Sequence, residues 1–195
     1  MSRKLTLADI ADTRAYERER ETFRQHVMEL KHRRRVHVGP LITLLFENRD
    51  TMRFQIPEMA RVERLVTDEA IEEELAVYNP MIPERGQLCA TLFLELTSDG
   101  QVREWLTKLV GIEQAVQFHL PDGEVVACQV DPQHASQLTR EEVTAAVHWV
   151  TFTFTTAQVA AFAEGTCLEI THPAYRESVE LAPVTVGELL ADLTG

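Results

Sequence analysis

From Thr13 to about Arg33 the apolar residues Tyr16, Phe23, Val27 and Leu30 recur at intervals of seven, four and three, a narrow stripe along an otherwise charged segment. That spacing predicts a surface helix, with Thr13 placed to cap it. Gly39-Pro40 breaks the pattern. The run Leu41 to Phe46 then predicts a short buried strand, with Val36 to Val38 as a second extended piece. A helix resumes after Asn48 or Asp50, with Met52, Ile56, Met59 and Val62 on one side and Arg53, Ala60, Arg61 and Arg64 on another. Pro57 falls inside it. A proline removes one backbone bond and crowds the preceding turn, so a kink or restart is expected there. Thr67-Asp68 opens a third helix through Glu72, Glu73 and Glu74 to about Tyr78, ended by Asn79-Pro80.

After Pro83 the period changes to alternation. Leu88, Ala90, Leu92, Leu94 and Leu96 fall on one face of a strand, and a helix from about Gln101 to Gly111 follows. Val116 to His119 and Glu124 to Val130 flank Asp122-Gly123, a hairpin signal. From Ala146 to Thr155 the alternation is strict, with His148, Val150, Phe152 and Phe154 on one face and Trp149, Thr151 and Thr153 on the other. A short helix from Thr156, a strand from Cys167 to Thr171 and a terminal helix from Thr185 to Leu193 complete the chain. Helices first and antiparallel strands later predict one α+β domain over residues 1–195. Residues 1–83 are mainly helical and are expected to pack on a mostly antiparallel sheet built from the strand-rich residues 84–195.

Composition narrows the class. With 195 residues, 45% hydrophobic and 26% charged, and eight Gly and eight Pro, the chain is neither low-complexity nor collagenous. No apolar run approaches the ~18 residues of a membrane span, and the N-terminus lacks the apolar region of a signal peptide, so a cytoplasmic location is expected. Cys89, Cys128 and Cys167 are well separated, with no Cys-x-x-Cys pair, and read as reduced, buried thiols.

The net charge of -12 hides an asymmetry. Residues 1–66 hold 14 of the 19 Lys and Arg against 10 of the 31 acids, a local charge of +4, and the remainder carries -16. An acidic whole disfavours nucleic acid. The basic third can meet an acidic partner or the chain's own acidic remainder. Arg33, Arg34 and Arg35, with Arg61 and Arg64 on the later helix, form the candidate partner-binding surface.

No phosphate-binding loop, dinucleotide fingerprint, nucleophile elbow or His-Glu-x-x-His helix is present. Glu29-x-x-His32 has the spacing used in di-iron bundles, yet a second copy and two further glutamates on facing helices are missing. His148 and His172 lie in phase with core faces, where apolar surroundings favour a neutral ring, a metal ligand as readily as a hydrogen-bonded core residue. Proline after His172 places Tyr175 and Arg176 just beyond. These residues define a candidate pocket of His148, His172 and Tyr175 with Glu47, Arg49 and Arg53, in which the two histidines are the candidate metal ligands. No cofactor is otherwise evident.

Several phrases together resemble a bacterial family catalogued as domain of unknown function 3501. They are Arg34-Arg35-Val36 with Gly39-Pro40, Leu44-Leu45-Phe46-Glu47-Asn48-Arg49, Gln55-Ile56, Glu58-Met59, Tyr78-Asn79-Pro80 with Ile82-Pro83, Ala146-Val147-His148 and His172-Pro173-Ala174-Tyr175. Pro57 stands where the family pattern has a glutamine. The resemblance implies a place in a redox or peroxide-handling system beside a rubrerythrin-like protein and an iron-sulfur oxidoreductase. It implies no chemistry. The function expected is therefore that of an accessory or assembly protein binding an acidic protein partner of that kind. The alternative is an enzyme or metal-binding protein using the His/Tyr/Arg-lined pocket.

Overall fold

The computed structural model describes residues 3–130 and 143–195. Three helices come first, α1 (Thr13–Arg34), α2 (Arg49–Glu63) and α3 (Asp68–Tyr78), with strands β1 (Arg35–Val38) and β2 (Ile42–Glu47) between the first two. There follow β3 (Gln87–Leu94), α4 (Asp99–Lys108), β4 (Val116–His119), β5 (Val125–Ala127), β6 (Val147–Thr153), α5 (Thr156–Ala161), β7 (Cys167–His172), β8 (Tyr175–Glu180) and α6 (Pro183–Thr194). The fold is α+β, as the change of period predicts. The strands form two antiparallel sheets rather than one, in the orders β1-β2-β3-β6 and β5-β4-β7-β8.

The sheets face each other across one core. Phe46 and Phe152 from the first meet Phe118 from the second, at ring-centroid distances of 5.8 and 4.7 Å. Leu92, Leu94, Val150 and Phe152 share this core, and Trp149 packs on the opposite face of its sheet, both as alternation requires. Backbone bonds between Gln129 and Thr151 join the sheets at one edge. At another junction Tyr175 Oη donates to the Val38 carbonyl (2.7 Å) and accepts from the Leu41 amide (3.1 Å). Gly39 permits this approach: its φ is +67°, and a Cβ there would lie 2.4 Å from Tyr175 Oη.

The first three helices cover the outer face of the first sheet. Met52, Ile56, Leu75, Met81 and Ile82 bury themselves there with Cys89, and Tyr78 and Trp149 pack at the margin. Asn48 caps α2, as its position after the β2 run suggests. Asp12, not Thr13, caps α1, accepting from the Ala15 amide at 2.9 Å. Of the kink or restart expected at Pro57, the restart is absent: α2 runs through it. Pro57 forfeits one backbone bond while Ile56, Pro57 and Ala60 are all buried, so packing outweighs the loss. Strand β8 is an addition to the expected elements: Pro173-Ala174 turns the chain instead of ending the sheet, and β7 pairs with β8 from His172↔Tyr175 to Cys167↔Glu180.

Helix α1 is also tied to α2. Glu58 receives two bonds from Arg20, at 2.6 and 2.9 Å, and one from Tyr16 Oη at 2.7 Å. The Arg20 guanidinium, with the Tyr16 hydroxyl, lowers the Glu58 pKa. A carboxylate with a lowered folded pKa contributes stability that is complete above the ordinary glutamate value of about 4.3 and is lost as pH falls through the lower folded value. An acid-unfolding series is therefore expected to show a smaller pH-dependent loss in Glu58→Gln than in wild type across that window.

Candidate functional site

Glu47 ends β2 directly after the apolar run Leu44-Leu45-Phe46. In β2, Ile42, Leu44 and Phe46 face the inter-sheet core, so alternation sends Leu45 and Glu47 to the outer face beneath the helices. Glu47 is only 4% exposed. Thr91 on the neighbouring β3 donates to its Oε1 at 2.8 Å, whereas Oε2 has no hydrogen-bond partner. A cleft of about 300 Å³ opens over this carboxylate. Its floor is Leu45, Glu47, Thr91, Met52 and Met81, all buried. Phe93 and Trp149 from the sheet and Tyr78 from α3 wall it, and half-buried Lys31 and exposed Val147 stand at its opening.

Two aromatic walls meet across the cleft, with the Tyr78 and Trp149 rings 5.9 Å apart. Burial raises the Tyr78 pKa, the nearby Glu74 and Glu63 carboxylates adding to it, so the phenol is a neutral donor near pH 7. The Lys31 ammonium lies 5.9 Å from the Phe54 ring centroid, and the Arg35 guanidinium lies 6.0 Å from that of Phe93. Neither cation has a salt-bridge partner among the described residues. A desolvated acceptor at the base, π faces along the sides and cations at the opening make a recognition site for a small polar molecule.

The six residues expected to form one pocket are distributed over both sheets and α2. His148 lies on the inner face of β6, its Nε2 bonded to Thr144 Oγ1 and the Ala145 carbonyl, both at 2.9 Å. His172 ends β7 in the other sheet, donating from Nε2 to the Val110 carbonyl (3.0 Å) and accepting the Ala174 amide at Nδ1 (3.2 Å). Tyr175 is the inter-sheet stitch. Among the described residues no group of three or more His, Cys, Asp or Glu side chains is placed to hold a metal ion. Arg49 and Arg53 lie outside the cleft lining, to which α2 contributes Met52 and Gln55. Arg49 pairs with Asp9, and Arg53 reaches Glu19, the Asp9 carbonyl and the Phe23 ring. Of the six pocket residues, Glu47 alone lines the cleft.

The basic surface is also divided. Arg34 is buried and pairs with Asp192 and Glu188 of α6, and Arg33 pairs with Glu188 at 2.6 Å. Arg61 pairs with Glu17 at 2.7 Å. Arg64 is the left-handed cap of α2, and Arg35 faces outward near the cleft. Seven of the fourteen Lys and Arg of residues 1–66 thus pair with acidic side chains among the described residues. Trp149, Tyr78, Thr91 and Lys31 join the site without having been marked by any motif. The signal available for them is a lone carboxylate closing an apolar run beside a Trp already assigned to the outer face.

A larger groove, of about 580 Å³, lies between the N-terminal segment and α1 to α3. Its lining is mainly apolar, and its Glu17 and Arg61 neutralise each other. It therefore offers less chemistry than the smaller cleft. Among the described residues no helix is long and apolar enough to cross a membrane.

No curated protein matches the chain. It is similar to a crystal structure of a protein of unknown function from Burkholderia pseudomallei K96243, at a TM-score of 0.88 and 33% identity, over 97% of this chain and 99% of that one. The family model described as Protein of unknown function (DUF3501) matches residues 4–193, and the chain belongs to that family.

Proposed function

We propose that the protein binds a small molecule in the Glu47 cleft, through a head group that donates hydrogen bonds to the carboxylate or carries positive charge. One observation carries the reading: Glu47 Oε2 is buried without a hydrogen-bond partner while Oε1 is held by Thr91. An unpaired buried acceptor costs about 1–3 kcal/mol, more when charged, and a ligand that donates to it recovers that cost. The aromatic and methionine walls supply apolar contact, and the rigid β2–β3 pair fixes the carboxylate. Within the redox or peroxide-handling setting that the family resemblance implies, this makes the protein an accessory component that recognises a metabolite. An acidic protein partner at the basic run has less support, since Arg33 and Arg34 are engaged with α6.

The test is thermal melting with n-butylamine and butyramide as probes. Wild type saturated to a hundredfold excess over Kd gains about 2.7 kcal/mol, a rise of roughly 5–11 °C for a chain of this size. Glu47→Gln, nearly the same shape, is expected to melt as a folded protein and to lose the rise. Equal shifts in both proteins, or none with either probe, would rule the cleft out as the binding site.

A further inference from the structure

The charges along the cleft have an order that selects a ligand class, an inference that rests on reading the cleft as a binding site. The carboxylate is at the buried end and the cations are at the exposed end: Glu47 is 4% exposed, Lys31 is half-buried and Arg35 is exposed. Lys31 lines the opening, and Arg35 sits over Phe93, which lines it too. Their lack of salt bridges contrasts with the adjacent Arg33 and Arg34, both consumed by α6. Tyr78 adds a hydroxyl on the α3 side, beside Gln55 and near Glu74 and Glu63. Besides the charged ends, Tyr78 and Val147, the lining is Leu45, Met52, Met81, Phe93 and Trp149, with Gln55 and Thr91 as its polar members.

We propose that the cleft takes a dipolar organic ligand, a primary ammonium seated on Glu47 and an anionic tail held by Lys31 and Arg35, joined by a short apolar body. The ammonium satisfies the orphaned oxygen with a charge-assisted hydrogen bond in a place where water screens little. Its cationic end also lies among π faces. The tail meets two flexible cations near solvent, where salt weakens the attraction. An amine without a tail forfeits the outer contacts, and an acid without an amine puts an alkyl end against Glu47 and leaves its Oε2 unpaired.

Calorimetric titration of the full chain with ω-aminoalkanoates of four to six carbons, and with the matching alkylamines and alkanoates, tests the class. The best aminoalkanoate is expected to bind about tenfold tighter than its amine, and the alkanoates not at all. The double substitution of Lys31→Gln and Arg35→Gln, both away from the core, should bring the aminoalkanoate down to the amine's affinity without affecting the amine. Glu47→Gln should abolish both. Equal binding of amine and aminoalkanoate in wild type, or no response to the double substitution, would overturn the dipolar class while leaving the cleft a ligand site. Tighter binding of an alkanoate would reverse the assigned polarity. No binding by any of the three series would refute both this inference and the reading beneath it.

Discussion

Arg34→Ala is expected to cost about 3–5 kcal/mol, the range for removing one partner of a buried charge pair. The guanidinium is 1% exposed and serves four acceptors. It bonds the Phe46 carbonyl at 2.9 Å and the Glu47 carbonyl at 3.3 Å, just past the last β1–β2 pair, Arg35↔Leu45. It also pairs with Asp192 and Glu188, fastening the end of α1 to α6. Burial raises the Asp192 pKa even against the attraction of Arg34, so without the guanidinium this carboxyl would be still harder to ionise in place. Urea unfolding measures the loss. Adding Asp192→Leu to Arg34→Met should recover some of it, because an apolar pair of similar volume avoids the stranded charge. A cost below about 1 kcal/mol for Arg34→Ala would show that the pair does not hold α6 down.

Phe152→Ala should cost a similar amount, about 3–5 kcal/mol, through lost burial and the cavity left behind. The ring is fully buried and sits edge-on to Phe118 at 4.7 Å and near Phe46 at 6.3 Å, so it contacts both sheets. Truncation removes apolar surface from each, along with aromatic contacts worth about 0.5–1.5 kcal/mol beyond area. For a chain of this size the melting temperature should fall roughly 6–20 °C. Phe93→Ala, on the outer face and half-buried, should cost less. If the two substitutions were equally destabilising, the core would not lie where the paired sheets place it.

How far the sequence could be read depends on which interactions are local. Helices α1 to α3 follow from 3.6-residue stripes and short capping side chains, and β3 and β6 follow from long alternation, all written within one segment. Strand β8 escaped because only Tyr175 along it is buried, so it lacks an alternating apolar signature. Alternation also shows that a face is covered without showing by what, and so a second sheet stood unseen opposite the first. The site was the least legible. Glu47 stands out as a carboxylate closing an apolar run, yet Thr91 lies 44 residues away and reaches it through strand pairing. Nearness in sequence is a poor guide here because the strand ends at Glu47 and α2 begins at Arg49: Glu47 lines the cleft, while Arg49 and Arg53 pair with Asp9 and Glu19.

The central claim is that Glu47 is the group a ligand grips. A crystal structure of the protein soaked with 5-aminopentanoate tests it most directly. The ammonium nitrogen is expected within ~2.7–2.9 Å of Glu47 Oε2, the distance of a charge-assisted hydrogen bond, with Thr91 still on Oε1 and the carboxylate tail at Lys31 and Arg35. The cleft filled by water alone at saturating concentration, or the molecule bound only elsewhere on the surface, would contradict it.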